Sequence, residues 1–139
     1  MLDSGPLGQL AHRQPKIPAV RWLDSLLNAR VKVILPEITD FEIRRNLLLH
    51  GLKDSILALD YLKRRLTFQP ITSEIMLTAA ELWADARKRG RPTADPRELD
   101  CDVILAAQAL EAKAIVATEN VGHLGRYVTV RDWRKIVVG

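Results

Sequence analysis

Three carboxylates stand in places where a carboxylate is costly. Asp3 closes a short β-prone run, 1–3, and precedes Ser4, whose hydroxyl could orient it. Glu42 falls at the edge of the apolar stripe of a predicted helix over 38–52. That stripe runs through Leu48, Phe41, Leu52, Ile38 and Leu49, with Arg45 inside it and Asp40, Arg44 and Asn46 pointing elsewhere. A solvated pair between Glu42 and Arg45 at i+3, worth a few tenths of a kcal/mol, accounts for Glu42 as well. Asp102 is sharper. Leu105, Ala109, Ala112, Ala106, Leu110 and Val103 form an arc around it, while Asp100, Glu111 and Gln108 fall on the other side, as do Ile104 and Ala107. The periodicity thus turns Asp100 to solvent and Asp102 to the core.

An unpaired carboxylate in a core costs several kcal/mol, so Asp102 needs a cation, a donor or a metal. A place in the first turn of a helix is the alternative, since the helix dipole favours acids there. Against it, Asp95-Pro96-Arg97-Glu98 fits a capping box with proline at the first helical position, which puts Asp102 mid-helix. Asp3 also reads as a turn or N-cap residue, and Thr118-Glu119-Asn120 follows the last strong strand in the same way. A strand end, a helix edge and a helix start can converge in one cleft. Clustered carboxylates repel unless a divalent cation sits among them, and oxygen-only ligands select Mg²⁺ or Mn²⁺. Zinc is not expected: Cys101 is the lone cysteine, and His12, His50 and His123 are scattered. Phosphate-cradling glycine motifs and a G-x-S-x-G elbow are absent, and Cys101 has no evident histidine partner.

The elements that must position these acids alternate between β-branched runs and longer helical patterns. Strands are expected at 1–3, 31–35, 67–71 and 114–118, with a weak one within 127–138. Helices are expected over 17–29, 38–49, 55–66, 74–89 and 102–112, and a polar loop over 91–100. Strands separated by helices of this length imply βαβ units and a parallel sheet, whose ligands sit outside the carboxyl ends of the strands.

Composition sets the outer bounds. With 139 residues, 47% of them hydrophobic and 27% charged, the chain can bury a core and reads as one domain over 1–139. No stretch approaches the roughly 20 apolar residues of a membrane span, so no membrane partner is expected. A single cysteine suits a reducing cytosol. Lys and Arg outnumber Asp and Glu by 21 to 17, a net charge of +4 that suits a polyanion. The basic clusters are Arg44-Arg45, Lys63-Arg64-Arg65, Arg87-Lys88-Arg89 with Arg91, and Arg131 with Arg134-Lys135. With seven aromatic residues (three Trp, two Tyr and two Phe), base stacking is not the expected main source of affinity. Ile43 and Leu47 lie opposite the main stripe of the Glu42 helix, implying two-sided burial or an interface.

Four blocks in order resemble the PIN-domain nucleases and, within them, the VapC-type toxins of toxin–antitoxin pairs. They are Leu2-Asp3-Ser4-Gly5-Pro6-Leu7, the 36–45 run around Glu42, the 102–110 run opened by Asp102, and the 117–124 run around Asn120. The resemblance implies an α/β fold, a three-layer α/β/α domain with a central parallel sheet of about five strands. It implies Asp3, Glu42 and Asp102 as metal ligands, Asn120 as a fourth catalytic position, and Mg²⁺- or Mn²⁺-dependent cleavage of RNA. Ser4 and Thr118 would support the acids from behind, and Arg44, Arg45, Arg89 and Arg91 would contact RNA. A small antitoxin protein and a homodimer are the implied protein partners. Three positions depart from the family's frequent residues: Asn120 stands for an aspartate, Ser4 for a threonine and Gly5 for an asparagine. With two residues before Asp3, the first strand is expected to be short. Asn120 and that short strand also fit a catalytically weakened RNA- or protein-binding module, against which the intact acid trio speaks.

Overall fold

The computed structural model describes residues 1–89, 96–122 and 124–138. Its strands are short and parallel. β1 (Ile34–Pro36) pairs with β2 (Thr67–Gln69), and β3 (Val116–Thr118) pairs with β4 (Val130–Asp132). The N-terminal segment joins the two pairs. Leu2 forms a parallel bridge with Ala117, and its N–H donates to the Ile34 carbonyl at 3.0 Å. Asp3 N–H then donates to Ala117 O at 3.0 Å, and Ala117 N–H to Met1 O at 2.8 Å. The result is five strand-like segments in the order 67–69, 34–36, 1–3, 116–118, 130–132.

Alternation along the three central segments divides the core between two faces, because successive residues of a strand point to opposite sides. Leu2, Leu35 and Ala117 bury against α1 (Ser4–Leu10), α2 (Ile17–Asn28) and α4 (Lys53–Arg65), through Leu7, Trp22, Leu26, Leu59 and Leu62. Met1, Ile34 and Val116 bury on the other face against Leu105 and Ala109 of α6 (Pro96–Ala112). α5 (Ser73–Lys88) packs outside α6 through Ile75 and Ala79 against Val103 and Ala107. This is the three-layer α/β/α arrangement that the family resemblance implied, built on the parallel strands expected from the alternation of elements.

Helix limits follow local chemistry. Asp3 caps α1, Thr72 Oγ1 caps α5 by accepting from Ile75 N–H, and Gly51 carries the positive φ of 63° just after α3 (Glu37–Leu49). α6 begins at Pro96, as the capping-box reading had it, so the expected 91–100 loop gives way to helix in its second half; Asp95 lies outside the described residues. β1 starts at Ile34, three residues beyond the expected Val31.

Two expectations are overturned. On α3, Phe41, Leu48, Leu49 and Leu52 were the expected buried stripe, yet all four are exposed, Leu49 at 77% and Leu48 at 62%. Ile38 alone of that stripe is buried, while Ile43 and Leu47 pack on the core and Asp40 is buried beside them. The helix is turned because Arg44 neutralises Asp40, which lets an acid occupy the inward face. On α6, Gln108 does not lie on a solvent face opposite Asp102; it is fully buried between layers. No helix among the described residues is long and apolar enough to cross a membrane.

Candidate metal centre

The carboxyl ends of the central strands open onto the three acids. Asp3 leaves its strand with extended backbone and becomes the N-cap of α1. Its Oδ1 accepts from the Ser4 N–H at 2.7 Å, and its Oδ2 accepts from the Thr118 hydroxyl at 2.7 Å. The expected Ser4 contribution is therefore made by backbone. Thr118 is buried at the end of β3, where its hydroxyl also accepts from Asn120 N–H at 3.1 Å. These contacts fix the Asp3 carboxylate at a strand terminus, with both oxygens already oriented.

Glu42 sits half-buried on α3, just over one turn beyond β1, and Asp102 sits half-buried on the first half of α6. Electrostatics show that the three converge. The Glu42 carboxyl is pushed up from 4.5 to about 7, first by burial, then by the negative charges of Asp3 and Asp102, with Arg45 partly offsetting them. The Cys101 thiol is raised as well, by burial and then by Glu42. Arg45, exposed and lying over the Phe41 ring at 5.2 Å, is the basic residue that acts on Glu42.

Among the described residues, no group of three His, Cys, Asp or Glu side chains is close enough to form a ligand cage. The acids share one region and sense one another's charge without closing on a common point. Their chemistry fits a hard divalent cation: the donors are oxygens, and Glu42 holds its proton tightly first because it is buried and then because Asp3 and Asp102 are negative.

The remaining expected site residues divide. Asn120 follows β3 but is exposed, and its Oδ1 accepts from Gly122 N–H at 3.1 Å, so its carboxamide oxygen serves a local turn. Arg44 departs from the RNA-contact expectation. Its guanidinium donates to both oxygens of Asp40 at 3.0 and 2.9 Å and to Asp60 of α4 at 2.8 Å. These partners raise its pKa still further, and the group serves as a tie between helices. Arg89 is exposed at the end of α5 and, with Arg126, lines a small hollow; Arg91 lies outside the described residues.

Two residues near the acids escaped the sequence reading. Glu119 lies across the start of α1, hydrogen-bonded to Gln9 Nε2; a Cβ on Gly5 would stand 2.7 Å from its Cγ. The glycine in place of the family's frequent asparagine was the available sign. Gln108 gave none, because a lone glutamine in an amphipathic helix reads as a surface residue.

The sequence profile of the PIN domain family matches residues 2–124. The chain belongs to the PIN domain family. PIN domains are generally nucleases, and the acids described above lie at the end of the sheet where an α/β fold places its ligands. Among solved structures, VapBC-1 from nontypeable Haemophilus influenzae is 27% identical with a TM-score of 0.71, covering 97% of this chain and 98% of that one. FitAcB from Neisseria gonorrhoeae is 24% identical with a TM-score of 0.71 over 97% and 98% of the two chains, and shows the PIN fold. VapBC2 from Rickettsia felis, bound to a DNA fragment from their promoter, shares the fold at a TM-score of 0.76 and 16% identity, over 94% and 96%. No curated protein matches the chain in sequence.

Proposed function

We propose that this PIN domain is a Mg²⁺- or Mn²⁺-dependent ribonuclease, the toxin of a VapBC-type toxin–antitoxin pair acting in the cytoplasm as a single domain over 1–139. Asp3, Glu42 and Asp102 would hold the cation. The observation that carries this reading is the match to the PIN domain family over residues 2–124, with Asp3 and Asp102 placed near enough for their charges to act on Glu42. A bound divalent cation would supply a more acidic water and neutralise charge on the scissile phosphate.

The chain's own residues have defined tasks in this scheme. Thr118 and the Ser4 N–H hold the Asp3 carboxylate in one orientation. Glu42, which holds its proton near neutral pH in the metal-free site, would give that proton up on binding the cation, so cation binding is expected to strengthen as pH rises toward 7. Asn120, beside Thr118, orients groups at the edge of the cleft. Arg45 is placed to meet a phosphate, and the exposed Arg89 extends the basic track. Phosphate contacts of this kind weaken with salt as counterions are retained.

Partners follow from the same surface. VapBC-1 and FitAcB support a small antitoxin as the protein that covers this domain. The exposed Phe41, Leu48 and Leu49 on the outer side of α3, with Leu52 at the start of α4, give such a partner, or a second copy in a homodimer, apolar area to bury. The direct test is RNA cleavage by Asp102→Asn. The variant should keep its fold by circular dichroism and lose metal-dependent cleavage by about a hundredfold or more, because a ligand is removed without changing side-chain size. Undiminished cleavage sinks the assignment.

A further inference from the structure

Gln108 stands in the middle of α6, fully buried, in a position where an aliphatic side chain would fill the same space. A buried amide is tolerated only when its donors and acceptor are used, and here they are. Its Oε1 accepts from the Ile38 N–H at 3.2 Å. Its Nε2 donates to the Gln69 carbonyl at 2.9 Å and lies 3.3 Å from Gln69 Oε1. Gln69 Nε2 returns a bond to the Gln108 carbonyl at 3.1 Å.

Ile38 is in the first turn of α3, where N–H groups have no partner within the helix, and the N-cap, Pro36, has no side chain to offer them. A residue of α6 therefore caps α3, and both are fastened to the end of β2. The acids lie further out along the same two helices. Glu42 is four residues beyond Ile38 and Asp102 six residues before Gln108, about 6 and 9 Å along the respective axes. The hydrogen bonds at the inner ends fix the spacing of α3 and α6, and that spacing is carried along both helices to the acids.

We propose that Gln108 is a positioning residue, a latch that holds α3 and α6 at the spacing their acids need to share one divalent cation. This inference rests on the metal-dependent reading above. The latch touches neither metal nor RNA. It acts through the relative placement of two helices, which directional hydrogen bonds fix more narrowly than apolar contact does.

The test is Mn²⁺ titration by calorimetry of the full chain, comparing wild type with Gln108→Met and with Leu62→Ala. Leu62 is buried on the opposite face of the sheet and serves as a control for lost stability alone. Gln108→Met should bind Mn²⁺ about tenfold more weakly, the usual range for groups that orient ligands. Leu62→Ala should bind as wild type does despite unfolding at lower denaturant. If Gln108→Met does not fold, Gln108→Asn keeps the amide but withdraws its oxygen from Ile38 N–H. It should also weaken Mn²⁺ binding about tenfold, and unchanged affinity in that variant overturns the proposal. Equal affinity in wild type and a folded Gln108→Met overturns the latch and leaves the metal reading standing. No Mn²⁺ binding by wild type removes both.

Discussion

Helix α3 carries two acids two residues apart, Asp40 and Glu42, and they meet opposite fates. Asp40 is buried, yet Arg44 one turn on binds both of its oxygens and reaches across to Asp60. Glu42 is less buried and feels two further carboxylates, Asp3 and Asp102, whose charges raise its proton affinity while Arg45 lowers it. In the first cluster one guanidinium binds both acids directly and fastens α3 to α4; in the second, burial and neighbouring carboxylates outweigh the arginine that acts on Glu42. Under the metal-dependent reading, the second is the cluster that would take a cation from outside.

Breaking the first cluster should have the largest effect on stability. Arg44→Ala leaves Asp40 buried without its cation, which is expected to cost about 2–4 kcal/mol, measured by urea unfolding. Cleavage per folded molecule should stay close to wild type, since Arg44 faces Asp40 and Asp60. A variant that stays stable but no longer cleaves RNA would place Arg44 in the site and erase the contrast.

The second cluster should respond in the opposite sense. Glu42 has a folded-state value of about 7 against an ordinary 4.5, so the metal-free native state holds its proton more tightly than the unfolded chain does. Stability from this group therefore falls as pH rises from about 4.5 to 7, and is flat above. Glu42→Gln should remove that slope. At pH 8 without metal it should be more stable than wild type by on the order of 1 kcal/mol, reduced by partial solvent screening. At pH 4 the two should unfold alike. A Glu42→Gln variant less stable than wild type at pH 8 would show that Glu42 is paired there, as Asp40 is.

The same contrast explains what could be read from the sequence. Asp102 stood out because helical periodicity set it against apolar neighbours in the 102–110 run, and Asp3 because it closes a short strand. Alternating strands and helices pointed to a parallel sheet, while the three-layer order came from the resemblance to the PIN family; the structure carries it in the alternation of Leu2, Leu35 and Ala117 with Met1, Ile34 and Val116. The facing of α3 was not. A helical wheel ranks residue types, and it cannot see that Arg44 makes Asp40 acceptable inside through a partner, Asp60, on another helix. The outward leucines then look like core. Gln108 was hidden for the same reason: its partners Ile38 and Gln69 are 70 and 39 residues away in the chain.

The metal-dependent reading requires that Asp3, Glu42 and Asp102 together bind a divalent cation. Calorimetric titration of Mn²⁺ into wild type and Asp3→Asn at pH 7.5 tests it most directly, because Asp3 is the acid most firmly held by its neighbours. Wild type should bind at least one ion and the variant should bind it at least tenfold more weakly, with both folded. Equal binding by the two, or none by wild type, contradicts the account and favours a PIN-like module that binds RNA or protein without catalysis.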